Sequence, residues 1–303
     1  MPDDTPGQAL ARLLKILDLR PTPDGGFIAE PDQQEGRLFG GIVLAQSIVA
    51  AGRTVTQGDI HSLHAYFLRA GRPATPISYA VERVRDGRNF TTRRVSAYQG
   101  GDMIFEATIG FVLTEVGISY QAPMPEAHGP EGQPAWWETF AEPQSGPPQE
   151  MEMHRRWANP IDVVAAAPTG WRPTDTEFPE RKVWVRPSAV LPDDPLIHAA
   201  ALAYASDSGM VATVAMRYGM WSPGGATASL DHAIWWHHPP KFDDWLLYHS
   251  ESPAAHAARA VIFSGMYRRD GVRVVSVAQE GLFRQAARAE SVSAPLPATQ
   301  GSL

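Results

Sequence analysis

No cysteine occurs in the 303-residue chain, which excludes disulfide staples, thiolate metal sites and a cysteine nucleophile. No apolar run approaches the ~20 residues of a membrane span. The opening MPDDTPGQAL is acidic where an export signal would be basic. The formal charge is −7 with no run of Lys or Arg, so the electrostatic footprint of a nucleic-acid or anionic-membrane binder is missing. These absences predict a soluble, cytoplasmic protein with no nucleic-acid and no membrane partner. What the chain has is apolar mass. With 44% apolar and 19% charged residues, it can fill the core of one large or two ordinary domains.

The patterning is α+β. Thr5-Pro6 followed by Leu10, Leu13, Leu14 and Leu17 reads as a capped amphipathic helix. FGGIVLAQSIVAAGRTV, residues 39–55, reads as a helix buried on most sides. Four alternating segments follow: HSLHAYFLRAG, ISYAVERVRDGR, FTTRRVSAYQGG and DMIFEATIGFVLTE. The turns between them carry Gly71, Gly87 and Gly100-Gly101. Residues 117–180 are Pro-rich in their first half and read as an ordered linker, with Trp136 and Trp137 packing it onto something. Then the first pattern recurs. RKVWVRPSAV alternates, and DDPLIHAAALAYASD is an Ala-rich helix with Asp194 as N-cap and Pro195 at its first position. Four strand-like segments follow, the last two joined by Asp270-Gly271, a strong hairpin signal. One helix then four strands, twice over, is an internal repeat. The expectation is a double hot-dog: each repeat wraps an antiparallel sheet around a central apolar helix. Residues 1–116 and 181–284 form the repeats, and 285–303 a flexible tail.

The stretch YASDSG, residues 204–209, has the small-x-X-x-Gly spacing of a nucleophile elbow, with Asp207 where Ser would stand. A carboxylate there serves either as a general base or merely as a polar helix end before a Gly turn. The histidines at 232, 237, 238 and 249 make no metal-ligand spacing, and packing on strand faces is the reading adopted. Neither a phosphate loop nor a dinucleotide fingerprint is present, so no cofactor and no metal are expected. RVRDGRNFTTRR concentrates arginines on a hairpin. Arg85 and Arg88 are either solvated there or candidate grips for phosphate.

Several long motifs, in order, resemble bacterial type II acyl-CoA thioesterases. In the first repeat these are FGGIVLAQSIVAAG, SLHAYFLRAG and PISYAVERVRDGRNFTTRRVSAYQGGDMIFEATIGF. In the second they are DDPLIHAAALAYASDSG, SLDHAIWWHHP, WLLYHSESP and VAQEGLFR. The resemblance spans roughly residues 10–284. It implies a double hot-dog fold, hydrolysis of fatty acyl-CoA to free acid and CoA, and an acyl-CoA substrate. It also implies a homodimer or higher homo-oligomer. It places the family's catalytic Asp on Asp207, its hydroxyl on Ser229, where many members carry Thr, and its amide on Gln279. Phosphates of CoA would then meet Arg85 and Arg88.

The implied chemistry suits the residue types. With no Cys and no Ser elbow, water attacks directly. Asp207 takes its proton, while Ser229 and Gln279 orient it. Two plainer roles stay open: local hydrogen bonding by Ser229, and solvation of Gln279 at a sheet edge. Competing activities are a hot-dog enoyl-CoA hydratase, a non-catalytic acyl-CoA binder and transfer of the acyl group to an alcohol or amine. PDDPLIHAAALA invites the first, but His198 stands one residue out of place for it, a turn of ~100° on a helix. The tryptophans at 221, 235, 236 and 245 either floor an acyl pocket or belong to the core.

Overall fold

The computed structural model describes residues 5–31, 38–136, 159–166, 175–218 and 226–284. Helix α1, Pro6–Leu17, starts on a capping box. The Thr5 side chain accepts from the Gln8 N–H, and the Gln8 side chain answers to the Thr5 backbone. Its apolar face, Leu10, Leu13 and Leu17, is buried. Helix α2, Gly40–Gly52, is buried on nearly every side. Helix α3, Pro195–Asp207, begins with the Asp194 side chain accepting from the Leu196 N–H. A short helix α4, Met210–Ala215, follows after one turn.

The strands are β1 (Arg20–Pro21), β2 (Phe27–Ala29), β3 (Asp59–Phe67), β4 (Ile77–Asp86), β5 (Phe90–Gln99), β6 (Asp102–Val112), β7 (Ile161–Ala165), β8 (Glu180–Pro187), β9 (Ala226–Ser229), β10 (Asp231–Trp236), β11 (Leu246–His256), β12 (Arg259–Arg268) and β13 (Arg273–Arg284). They form one sheet in the order β1-β2-β4-β5-β6-β3-β10-β13-β12-β11-β8-β7, with β9 pairing β13. The order β2-β4-β5-β6-β3 in the first half is repeated as β8-β11-β12-β13-β10 in the second, each half carrying its own helix, α2 or α3. The repeat inferred from the sequence is therefore present as topology, and the fold is a double hot-dog. The halves meet at an antiparallel seam where Tyr66 faces Asp231 and Leu63 faces Ile234.

The central helices run antiparallel and close together, which is why α2 has glycine at both ends. A Cβ on Gly41 would lie 2.8 Å from the Tyr204 carbonyl oxygen, and one on Gly52 would overlap the Leu196 side chain. The N-terminus of α2 is thereby set against the C-terminus of α3.

The Pro-rich stretch contains a strand that alternation did not show. β7 pairs with β8 from Ile161↔Pro187 to Ala165↔Val183. Its five residues are too few to show alternation, and the Asn159-Pro160 before it reads as more of the Pro-rich linker. Parts of the described stretch reach the second repeat. Trp136 is buried, and the Gln121 amide bonds Gly271 O and the Arg273 N–H across the β12–β13 turn. Trp137, Trp221 and the 285–303 tail lie outside the described residues.

Candidate active site

Asp207 closes α3 and is only 6% exposed. The helix stops there because Ser208 is extended and Gly209 is left-handed (φ +83°). Gly209 also leaves room for a buried guanidinium: a Cβ would sit 2.6 Å from Cζ of Arg181. Arg181 lies 4.9 Å from the Trp136 ring and 5.8 Å from the Tyr248 ring, with Nη1 donating to Ser208 O at 3.4 Å. A cation thus rests against the negative end of α3.

The carboxylate points instead at the start of α2. The Gly41 N–H and the Ser229 hydroxyl donate to it. Its Oδ2 lies 2.8 Å from where a Cβ on Gly40 would stand, so residue 40 has to be glycine for the approach. The other oxygen, Oδ1, has no hydrogen-bond partner among the described residues. Burial pushes the carboxyl up to about 6 from its ordinary 3.8, and the Gly41 and Ser229 bonds limit the rise.

Ser229 ends β9, where it lies opposite Gly281 of β13. Gln279, two residues earlier on β13, faces inward with Val275 and Val277 and is 1% exposed. Its Nε2 donates to Ser229 Oγ at 2.7 Å. The three residues therefore converge in series, Gln279 to Ser229 to Asp207.

They meet at a cavity of about 650 Å³, within the range of small-molecule sites. Asp207, Ser229, Gly40 and Phe67 line it near the carboxylate, and Leu13, Ile16 and Val43 supply apolar wall. Both repeats thus build it. Gln279 is not a lining residue: the structure sets it behind Ser229 rather than beside it.

Arg85 and Arg88 do not line this cavity. They belong to the β4–β5 hairpin tip, where Arg93 donates to Arg85 O and to the Thr54 hydroxyl just past α2. That is the opposite end of α2 from Gly40. Arg93 from the same basic run is buried against Asp86 at 2.5 Å, a structural pair. The arginines that line the cavity are Arg12 of α1 and Arg69 just after β3. Nothing in their spacing marks them, because α1 and the β3 end meet only in the fold. Likewise Trp235, Trp236 and Trp245 are not in the lining, whereas Trp136 is.

His198 also lies away from the cavity. It is buried near the start of α3, its Nδ1 accepting from the Phe242 N–H at 2.9 Å, a structural role that leaves the hydratase reading without its base. His237 bonds Ser276, and His249 bonds Glu180. Among the described histidines, His232 alone joins the network around Asp207, through Gln279, and its spacing gives no sign of that.

A double hot-dog with a buried, raised-pKa carboxylate, a hydroxyl and an apolar cavity at the contact of its two central helices suits a hydrolase of acyl thioesters. Comparison with known proteins makes the class specific. Residues 162–282 match the family model described as acyl-CoA thioesterase, and residues 29–112 match the acyl-CoA thioesterase N-terminal domain. Acyl-coenzyme A thioesterase 8 of Rattus norvegicus is 34% identical over 287 residues, covering 90% of this chain and 89% of that protein. Acyl-CoA thioesterase 2 of Haemophilus influenzae is 32% identical, covering 91% and 98%. The crystal structure of acyl-CoA thioesterase II TesB2 from Mycobacterium marinum superposes with a TM-score of 0.76 at 34% identity, covering 92% of this chain and all of that one. The chain belongs to the type II acyl-CoA thioesterase family and is a thioester hydrolase.

Proposed function

We propose that the enzyme cleaves fatty acyl-CoA by direct attack of a water that Asp207 deprotonates. The water proton passes to the carboxylate as the oxygen–carbonyl bond forms, the C–S bond breaks, and CoA leaves as thiolate. The proton then returns to the thiolate, giving free acid and CoA. The observation that carries this reading is the state of Asp207: lining the cavity, buried, with one oxygen unpartnered and its proton affinity raised. Ser229 orients the carboxylate and the water. Gln279 is a positioning residue that acts through Ser229. The Gly40 end of α2 offers its N–H dipole to the developing oxyanion.

The apolar wall from α1 and α2 receives the acyl chain, and Arg12 and Arg69 meet the phosphates of CoA in place of Arg85 and Arg88. Asp207→Asn lowers kcat by about 10²–10⁴-fold with little change in KM, read as thiol release from acyl-CoA. Near-native turnover by a folded Asp207→Asn variant would end the proposal. A salt-dependent KM that is relieved by Arg69→Ala but not by Arg85→Ala separates the two arginine sets.

The reading extends to a cytoplasmic, homo-oligomeric enzyme of fatty acid metabolism. No helix among the described residues is long and apolar enough to cross a membrane. The outer face of the sheet exposes Tyr66 on β3, Trp235 on β10 and Phe263 on β12, apolar side chains that a second copy would cover.

A further inference from the structure

The hydrogen bonds behind Asp207 continue past Gln279. His232 Nδ1 lies 2.6 Å from Gln279 Oε1, and its Nε2 lies 2.9 Å from Ser206 Oγ. Ser206 precedes Asp207 in the chain, so the path Ser206–His232–Gln279–Ser229–Asp207 bends back on itself. Ser206 and His232 are fully buried and Gln279 nearly so. Bulk water therefore offers no substitute partners, and the donors and acceptors must match within the path.

A terminal amide is nearly symmetrical in shape, and its two ends differ only in donating or accepting. With nitrogen toward Ser229, the Ser229 oxygen accepts from Gln279 and its own hydrogen is left for Asp207. With the amide reversed, Gln279 Oε1 would take that hydrogen and the carboxylate would lose a donor. The imidazole decides between the two. Burial holds His232 down at about 4, so the ring is neutral above that pH and carries one hydrogen. If the hydrogen is on Nδ1, it donates to the Gln279 carbonyl, and Nε2 accepts from the Ser206 hydroxyl. If it is on Nε2, the Ser206 hydroxyl turns to the Ala203 carbonyl, 2.8 Å away. A bare Nδ1 would then face the Gln279 oxygen lone pairs, and the amide would have to reverse.

We propose that His232 is a positioning residue: its Nδ1–H tautomer fixes the orientation of the Gln279 amide and thereby aims the Ser229 hydroxyl hydrogen at Asp207. Every donor in the path then points toward the carboxylate. The proposal rests on the roles assigned above to Asp207 and Ser229, and deepens them. His232 touches neither water nor substrate, so its effect falls on turnover and not on binding of acyl-CoA.

The test combines the tautomer with kinetics. In ¹⁵N-labelled wild-type enzyme, imidazole ¹⁵N–¹H correlations, with His232 identified by its loss in His232→Asn, are expected to show a neutral ring protonated on Nδ1. An Nε2–H tautomer overturns the proposal. His232→Leu is expected to lower kcat by about tenfold to a hundredfold, as displaced catalytic geometry does, with KM for acyl-CoA unchanged. Asparagine can present an N–H where Nδ1 stood, so His232→Asn should stay within about threefold of wild type. A folded His232→Leu variant with wild-type kcat, or a His232→Asn variant no better than His232→Leu, overturns it. Ser229→Ala and Asp207→Asn assayed alongside keep the two levels apart. If both lose turnover while His232→Leu does not, only the positioning role fails. If neither loses turnover, the site itself is misassigned.

Discussion

Asp207 combines two things that oppose each other: burial, which resists ionisation, and the proposed role as a base, which requires it. With its carboxyl at about 6, kcat should climb through an acid limb centred near pH 6 and level off above it, and Asp207→Asn should abolish that limb with the activity. The same residue weakens the fold. Its proton is held more tightly in the folded chain than in the unfolded one (about 6 against 3.8), so its stabilising contribution is full below pH 3.8 and is lost as pH rises through 6. His232 works the other way. With about 4 folded against 6.5 unfolded, its contribution is full above pH 6.5 and is lost as pH falls toward 4. Between pH 4 and 6 the two slopes offset. Urea unfolding of Asp207→Asn should therefore show a gain of at most about 3 kcal/mol at pH 8 and a newly exposed fall in stability from pH 6 to 4. A variant inactive and less stable at pH 8 would contradict the origin given to the shift.

At the scale of elements, the site depends on how closely two helix ends approach. Gly40→Ala places a methyl against Asp207 Oδ2 and the Phe67 ring, so kcat should fall by about tenfold or more while the melting temperature moves little. Gly41→Ala drives a methyl at the Tyr204 carbonyl, which is backbone and cannot swing away. It should cost about 1–3 kcal/mol of stability as well as activity. Another element carries strain unrelated to chemistry. The β11–β12 turn places Ala257 (φ 49°) and Ala258 (φ 60°) in the left-handed region, where Cβ costs about 1–2 kcal/mol per residue. Replacing the pair with Asn-Gly should raise stability by about 1 kcal/mol, seen in the denaturation midpoint with turnover unchanged. What was legible in the sequence follows the same division. Asp194-Pro195 and Asp270-Gly271 announce a helix start and a hairpin because their chemistry is local. The pairing of β7 with β8, the cavity arginines Arg12 and Arg69, and the place of Gln279 behind Ser229 are set by neighbours distant in the chain. The elbow-like spacing of YASDSG marks Asp207, but the tasks proposed for Asp207, Ser229 and Gln279 come from resemblance, since a carboxylate before Ser-Gly or an amide on a strand carries no local mark of them. In the sequence His232 reads as packing for the same reason.

At the scale of the molecule, the sheet runs unbroken through both repeats, and its outer face leaves Tyr66 63% exposed and Phe263 47% exposed. If a second copy covers this face, Tyr66→Lys with Phe263→Glu should shift the sedimentation profile toward the single chain while each chain keeps its fold. An unshifted profile would place the contact elsewhere. The seam between β3 and β10 has a further consequence. Neither repeat owns the whole of the proposed reaction centre: one brings the Gly40–Gly41 backbone and Phe67, the other Asp207 and Ser229. A gene split at the exposed stretch 116–120 would therefore yield two fragments, each with a raw strand edge and half a cleft. Hydrolytic power would return only when both are made together and zip along that edge, turning covalent continuity into a matter of concentration.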